Sequence, residues 1–401
     1  MKKSKIISYI TTVVLAAVLS FSISHLSDFV SELGNQTYPD LSDTTVRDSL
    51  ELPDPIPLPD GVEASADYFY KQLTSAEKRV YNELYNAILK GENSASLPYS
   101  LFESGACNKM QIVRALTYDH PELFWISCGY KTSSTAQITE YEAYEFPYWQ
   151  YTSDKEDKII ALEREVLKVA ELANGYGTHY EKIKFVHDYL IANAMYDHEA
   201  LAECKKSVHD PSHEYIYSAY GCLVNGRTVC AGYAKAFQMI MQRLGYECLY
   251  VVGTAGGSHA WNCVMIEDEG YFIDVTWDDP DREYDEAQYE YFCITDEVLE
   301  RTHTIGENFV IPTCSATEYN YFKYNSYFLE KYDFDAVGKI VEKQMGEHII
   351  SIQFADLEGL QQSKNDLFEN KKWSKLPAFS KVNKIYYNLN ENQYTLNFYF
   401  E

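Results

Sequence analysis

Residues 219–279 decide the fold of this chain, and they read AYGCLVNGRTVCAGYAKAFQMIMQRLGYECLYVVGTAGGSHAWNCVMIEDEGYFIDVTWDD. Cys230 stands directly before an apolar pattern with a helical period, formed by Tyr233, Phe237, Ile240 and Leu244. Gly245 follows this pattern and is a typical helix stop. The thiol is therefore predicted at or within one residue of a helix N terminus. Unpaired amides and the positive end of the helix macrodipole favour a thiolate at that place.

Two short strand patterns follow the predicted helix. His259 begins the first, HAWNCVMI, and Asp274 lies in the second, YFIDVT, with the turn segment 267–270 between them. A thiol, an imidazole and a carboxylate thus fall on three consecutive elements. Acyl transfer needs these three groups: a thiolate to attack, an imidazole to move protons and a carboxylate to hold the imidazole's tautomer.

These residues carry a family resemblance. GRTVCAGYAKAF, GGSHAWNCV and YFIDVTWDD resemble the catalytic core of the transglutaminase-like superfamily of papain-fold thiol enzymes. The order Cys, His, Asp is kept, with separations of 29 (259 minus 230) and 15 (274 minus 259) residues. The resemblance implies that Cys230 is the nucleophile, His259 the general base and acid, and Asp274 the orienting carboxylate. It extends more weakly to FVHDYLIANAMYD and DHPELFWIS, as in exported proteins of Gram-positive bacteria, and says little about the C-terminal part.

The expected fold class is α+β. The resemblance implies a papain-like core over residues 155–312, in which the helix that carries the cysteine packs on a small antiparallel sheet. Helical periods predict a mostly helical subdomain over 66–154, with a capping-type sequence at Thr74–Glu77. Residues 313–401 combine strand and helix patterns and predict a small α/β appendage, which either recognises a partner or buttresses the core.

The N-terminal residues predict export. Lys2, Lys3 and Lys5 precede an apolar run over residues 6–26, so residues 1–27 are interpreted as a signal peptide or an uncleaved membrane anchor. Pro and Asp cluster in residues 28–65, which predicts an extended, disordered linker. A signal peptide and a membrane anchor would both leave the bulk of the protein outside the cytoplasm, either secreted or anchored to the membrane. The protein is expected to be a monomer.

The net charge of −26 argues against nucleic acid as a partner, because the phosphate backbone would be repelled. We interpret this charge as a device for solubility outside the cell, and a basic partner or cationic substrate is the alternative.

Nine cysteines are present, and Cys222, Cys248, Cys263 and Cys293 lie in apolar patterns that favour buried free thiols over a disulfide framework. Cys107 with Cys128 is the pair to test first.

Two stretches of the sequence contain residue types that bind metals. Cys204, His209 and His213 could begin a zinc site, but Pro211 interrupts the helical spacing and further ligands would have to come from elsewhere. The acidic run over 278–286 lacks the spacing and central glycine of a calcium loop. No metal or cofactor is therefore predicted.

The function that follows is cysteine-dependent acyl transfer on carboxamide or peptide bonds of protein or cell-wall peptide, by a peptidase, an amidase or a protein-glutamine amine transferase. The alternative is a catalytically inactive domain of this fold that serves as a binding or scaffolding module at the cell surface.

Tyr196 lies near where some relatives place an aromatic residue that helps to bind the oxyanion, and a packing role is its alternative. Gly226 and Gly232 are expected to keep side chains small where a substrate carbonyl approaches the thiol.

Overall fold

The computed structural model describes residues 67–89, 94–98, 107–125, 131–133, 141–145, 155–206, 211–279, 287–347, 349–379, 382 and 384–400. The predicted export segment, the whole of the predicted linker and Cys128 lie outside these residues. Within them, no helix has the length and apolar character that crossing a membrane requires. The chain divides into two compact units, of which the first covers the described residues up to 145 and the second those from 155 onward.

The first unit combines three helices with a small antiparallel sheet. Its elements are α1 (Tyr68–Lys71), α2 (Ser75–Leu89), β1 (Ser94–Pro98), α3 (Lys109–Asp119), β2 (Lys131–Ser133) and β3 (Tyr141–Glu145), with strand order β1-β3-β2. The capping-type sequence before α2 forms reciprocal bonds, since Thr74 N–H donates to Glu77 Oε2 at 2.9 Å and Glu77 N–H donates to Thr74 Oγ1 at 3.3 Å. The buried Asp119 carboxylate accepts from the N–H groups of Phe69 and Tyr70, which ties the end of α3 to the start of α1.

The second unit begins with a group of helices and a four-stranded antiparallel sheet. Its helices are α4 (Lys155–Asn174), α5 (His179–Asn193), α6 (His198–Lys206), α7 (Ala219–Leu223), α8 (Cys230–Arg243), α9 (Val275–Asp278) and α10 (Asp296–Leu299). A 3₁₀ helix covers Pro211–Tyr217. The strands are β4 (Met195–Tyr196), β5 (Arg227–Thr228), β6 (Cys248–Thr254), β7 (Ser258–Ile266), β8 (Glu269–Ile273) and β9 (Thr304–Ile305).

The sheet has the order β8-β7-β6-β9, and β4 pairs with β5 separately and in parallel. A two-residue turn joins β7 to β8, and both its residues, Glu267 and Asp268, have positive φ values of 50° and 70°. This is the backbone that a tight hairpin with the natural strand twist requires. Helix α8 is almost entirely buried between this sheet and the helices α4 and α5. The prediction of an α+β fold, with the helix that carries the cysteine on a small antiparallel sheet, is confirmed.

The C-terminal part of the second unit is a smaller α/β layer with its own core. Its elements are α11 (Tyr321–Tyr324), β10 (Phe328–Leu329), α12 (Phe334–Lys343), β11 (Ile349–Phe354), α13 (Leu357–Lys364), β12 (Ile385–Asn390) and β13 (Thr395–Phe400). The strand order is β10-β11-β13-β12, with only the β10–β11 pairing parallel among the described strands of this sheet. Fully buried side chains of α12, β11 and β13, among them Val337, Ile350 and Phe398, form the core of this layer.

Candidate active site

Cys230 is the first residue of α8, and Val229 before it is an extended N-cap. The N–H groups of Gly232 and Tyr233 donate to Val229 O at 2.9 and 3.1 Å. The N–H of Cys230 belongs to the first residue of the helix, before these two donors, and lies at the positive end of the helix dipole. Among the cysteines that the structure describes, only Cys204 and Cys230 are partly exposed, whereas the others are buried. Cys230 is therefore partly exposed and lies at the N terminus of a helix, as the sequence predicts.

His259 lies on β7 and connects the thiol to a carboxylate. Its Nε2 is 2.6 Å from Asp274 Oδ2, and its ring also hydrogen-bonds the Cys230 side chain. Because Asp274 engages Nε2, Nδ1 is the ring nitrogen left for the sulfur. Burial lowers the pKa of the imidazole, but the charge of Asp274 and the hydrogen bonds to Asp274 and Cys230 outweigh this and raise the pKa to about 10. A charged imidazolium beside the sulfur is the expected state at neutral pH.

Asp274 follows β8 directly and uses its two oxygens differently. Oδ1 accepts from the N–H groups of Thr276 and Trp277 at 3.0 and 3.2 Å and so caps α9, while Oδ2 faces His259. Helix capping and imidazole binding are thus combined in one residue. Burial raises the pKa of this carboxyl, but the charge of His259 and the hydrogen bonds from histidine outweigh this and lower the pKa to about 2.

The three residues therefore form one connected site, from Cys230 through His259 to Asp274. A family model of the transglutaminase-like superfamily matches residues 168–275, a range that includes all three. Residues 168–275 form a transglutaminase-like domain. The match concerns this region of the second unit and does not extend to the rest of the chain.

Two solved structures show slight similarity to the chain. One is a crystal structure of a TGase, with 17% identity, a TM-score of 0.30, and coverage of 41% of this chain and 48% of the other. The second is a candidate cysteine protease from Cytophaga hutchinsonii, with 13% identity, a TM-score of 0.23, and coverage of 37% and 61%. The chain thus spans less than two thirds of the length of each of these proteins, and the assignment of the domain does not depend on them. No curated protein matches the sequence.

His303 is a fourth member of the site that sequence reasoning missed. Its Nε2 lies 3.0 Å from the same Asp274 Oδ2 that His259 contacts, and the side chain is completely buried. Strand β9 pairs with one edge of β6 at Gly253. On the other edge of β6, Gly253 pairs with His259 of β7. Thr304 O approaches Gly253 so closely that any Cβ there would lie 2.0 Å from it, so this pairing needs glycine. The segment RTHTIG itself carries no pattern that signals such a position.

Aromatic rings surround the imidazoles of His259 and His303. Trp261 stacks against His259 at 5.8 Å between centroids, and Trp277 lies 6.0 Å from the same ring. Trp261 is 1% exposed, whereas Trp277 is half-buried. Trp261 is thus part of the core that shields the imidazole, and Trp277 has an accessible side.

The two glycines near Cys230 have packing and backbone roles, which the sequence analysis did not foresee. A Cβ on Gly232 would lie 1.9 Å from Thr228 Oγ1 and 2.7 Å from Ser218 O, so the glycine lets α8 approach the preceding segment. Gly226 has φ +66°, a left-handed backbone that favours glycine. Their expected purpose of keeping side chains small where a substrate carbonyl approaches the thiol stays a prediction.

Tyr196 lies near the start of α8. Its strand β4 pairs with β5, so that Tyr196 faces Thr228, and its ring packs in a cluster with Val229 and Ala231. The ring centroid is 4.6 Å from that of His198. This location is compatible with either interpretation, and the oxyanion role stays a prediction.

The residues weighed for metals lie in different places. Cys204 belongs to α6, His213 to the following 3₁₀ helix, and His209 lies outside the described residues. In the acidic run, Asp278 is buried and contacts His187 Nε2 at 3.1 Å, whereas residues 280–286 are outside the described part. The ligand atoms of His259, Asp274 and His303 lie within 4.8 Å of one another, close enough to hold an ion. Hydrogen bonds from both imidazoles to one carboxylate oxygen account for this cluster.

Proposed function

We propose that the protein is a cysteine-dependent acyl-transfer enzyme that acts outside the cytoplasm on carboxamide or peptide bonds of protein or cell-wall peptide. It works through a thioester, as a peptidase or amidase or as a protein-glutamine amine transferase. The observation that carries the proposal is the single hydrogen-bonded line from Cys230 through His259 to Asp274. Such a line supplies an activated nucleophile, a proton carrier and its orienting group.

In the first half-reaction the Cys230 sulfur attacks the carbonyl carbon, and the C=O electrons move to oxygen. The amide of Cys230 at the start of α8 is one donor for this oxyanion. The intermediate collapses as the C–N bond breaks, and the imidazolium of His259 gives its proton to the departing amine or ammonia. The product of this step is a thioester on Cys230 and a neutral imidazole.

In the second half-reaction neutral His259 takes a proton from the acceptor, which attacks the thioester carbonyl. Water as the acceptor gives hydrolysis, and the amine of a lysine side chain gives a cross-link. Cleavage of the C–S bond returns Cys230, and the imidazolium forms again. Asp274 stabilises the charged ring in each cycle because its carboxylate is held against Nε2. Neither half-reaction needs ATP, which suits chemistry outside the cell.

The location outside the cytoplasm is supported by the basic and apolar residues 1–27 and by the net charge of −26. The competing function is an inactive module that binds a partner at the cell surface. A binding module has no need for a buried carboxylate and an accessible thiol on either side of one imidazole, so the connected site favours the enzyme.

The test is incubation of the full chain with a glutamine-containing peptide and an excess of a primary amine, followed by mass spectrometry. We expect conversion of the glutamine to the free acid, to the amine adduct, or to both, and cleavage if peptide bonds are substrates. Their ratio identifies the preferred acceptor.

Cys230→Ala is the control, and it should give no product. Product formation by Cys230→Ala at the rate of the unaltered protein would contradict the proposal. Absence of any product from the unaltered protein, across glutamine peptides and wall peptides, would favour the binding module.

A further inference from the structure

Asp274 has a second imidazole partner that the proposed reaction does not use. His303 Nε2 lies 3.0 Å from Oδ2, the oxygen that also receives His259 Nε2 at 2.6 Å. The other oxygen is held by the two backbone amides that it caps. Four donors therefore fix one carboxylate.

The hydrogen-bond partners of His303 define which of its nitrogens carries the proton. An ionised carboxylate only accepts, so Nε2 of His303 must donate. Nδ1 lies 2.8 Å from Thr302 Oγ1, and this hydroxyl is 3.3 Å from the Tyr291 hydroxyl. The Thr302 hydroxyl can donate to Nδ1 or accept from it, so Nε2 is the nitrogen whose role the contacts fix.

The surroundings of His303 hold its ring in place and exclude water. Ring centroids of Trp261, Trp277 and Tyr291 lie 5.0, 4.6 and 5.3 Å from that of His303. The ring of His259 is 5.5 Å away. The titratable groups that face His303 are thus Asp274, His259 and Tyr291, and no lysine or arginine is among its contacts in the described part of the chain.

We propose that His303 is a positioning residue, a hydrogen-bond donor that holds Asp274 Oδ2 in the orientation that His259 needs. The proposal rests on the proposed function, since it assigns His303 a task in the same site. Without this donor Oδ2 would keep only the bond to His259, and the carboxylate could turn about its capped oxygen or take up water. The imidazolium beside Cys230 would then be less well stabilised, and the thiolate with it.

Two replacements of similar length distinguish the loss of the hydrogen-bond donor of His303 from the loss of its side-chain volume. His303→Gln places an amide N–H near the position of Nε2, whereas His303→Met fills similar space and has no donor. The readout is the rate at which iodoacetamide alkylates Cys230, followed by peptide mass spectrometry from pH 5 to 11. This reaction needs no substrate and no acyl acceptor.

At neutral pH we expect His303→Met to react about 10- to 100-fold more slowly than the unaltered protein. His303→Gln should stay within about threefold of the unaltered protein, because it restores the donor. Above pH 10 all three proteins should react equally, since any accessible thiol is then ionised. Equal rates at high pH also report that the fold and the access to the sulfur are intact.

Equal rates for the Gln and Met variants at neutral pH would overturn the proposal, and so would a loss that is the same at every pH. If the Met variant does not fold, His303→Asn replaces it, because its shorter amide does not reach Oδ2. The proposed function fails separately: it is contradicted if Cys230 of the unaltered protein is no more reactive than free cysteine, and this outcome removes the role of His303 as well.

Discussion

Asp274 divides its oxygens between the cap of α9 and the imidazole of His259, which makes asparagine the informative replacement. In Asp274→Asn, the remaining oxygen can still accept from the two capped amides. The new amide nitrogen would face His259 Nε2 and force the proton onto Nδ1, where it blocks proton transfer from the thiol. We expect kcat with a glutamine peptide to fall on the order of 10⁴-fold.

Asp274→Ala is the matched variant, since it removes the cap as well. It should lose activity to a similar extent and about 1 kcal/mol of stability in addition. An Asp274→Asn protein with near-normal kcat would contradict the role of the carboxylate.

The pKa of about 10 for His259 predicts the alkaline limit of the reaction. The ring is protonated below that pH and loses its proton as the pH rises through it. Amide substrates need this proton on the departing nitrogen, so their kcat/KM should fall above about pH 10. A p-nitrophenyl ester needs no such proton, and its acylation rate should not fall there. Identical alkaline limits for the amide and the ester, measured on one preparation, would show that His259 does not act as the acid.

At the scale of elements, the start of α8 depends on its close approach to the segment before it. A methyl group on Gly232 would meet Thr228 Oγ1 at 1.9 Å, Ser218 O at 2.7 Å and Ile216 O at 2.8 Å. Two of these three atoms belong to the backbone and cannot rotate away. We therefore expect Gly232→Ala to lower the free energy of unfolding in urea by about 3 kcal/mol and to reduce activity by displacing Cys230.

Gly257→Ala is the matched control, because a Cβ at that glycine meets nothing within 4 Å. It should change the free energy of unfolding by less than about 0.5 kcal/mol. Equal stability of the two variants would contradict this account of the helix start.

At the scale of the whole chain, one buried carboxylate joins the C-terminal layer to the segment behind the active site. Glu290 is 6% exposed and accepts from Asn390 Nδ2 at 2.6 Å, from Asn397 Nδ2 at 3.1 Å and from the Thr395 hydroxyl. The neighbouring Tyr291 O receives the N–H of Asp274 at 3.1 Å. These contacts support the interpretation of the C-terminal part as a buttress.

Glu290→Gln tests this connection. The new amide nitrogen must face another N–H donor, either Asn390 Nδ2 or Asn397 Nδ2, whichever way the side chain is turned. We expect a loss of about 2 kcal/mol in the free energy of unfolding, and faster release of the C-terminal part in limited proteolysis. Glu297→Gln is the control: its side chain is 87% exposed and its ion pair with Arg301 spans 3.5 Å, so the change should be below about 0.5 kcal/mol. Equal behaviour of both variants would show that Glu290 is not a point of attachment.

Sequence reasoning finds the parts of the site that depend on local patterns. Cys230 is placed by the period of one helix and His259 by the pattern of one strand, so neighbouring residues alone predict their elements. The predicted position of Asp274 inside the second strand is wrong by one residue, because β8 ends at Ile273 and Asp274 is the N-cap of α9. His303 and Glu290 could not be predicted in this way. His303 reaches Asp274 because β9 pairs with β6 at a glycine 50 residues earlier (303 minus 253), and Glu290 meets side chains about 100 residues later. Such positions are set by packing between distant segments, which a single sequence does not express.

The central claim is that His259 activates the thiol of Cys230, and the direct measurement is site-resolved alkylation with iodoacetamide at pH 7. Cys204 is the internal reference, since it is also partly exposed. We expect Cys230 to react at least about tenfold faster than Cys204, and His259→Ala to remove this advantage. A Cys230 that reacts no faster than Cys204, or whose rate is unchanged in His259→Ala, would contradict the account.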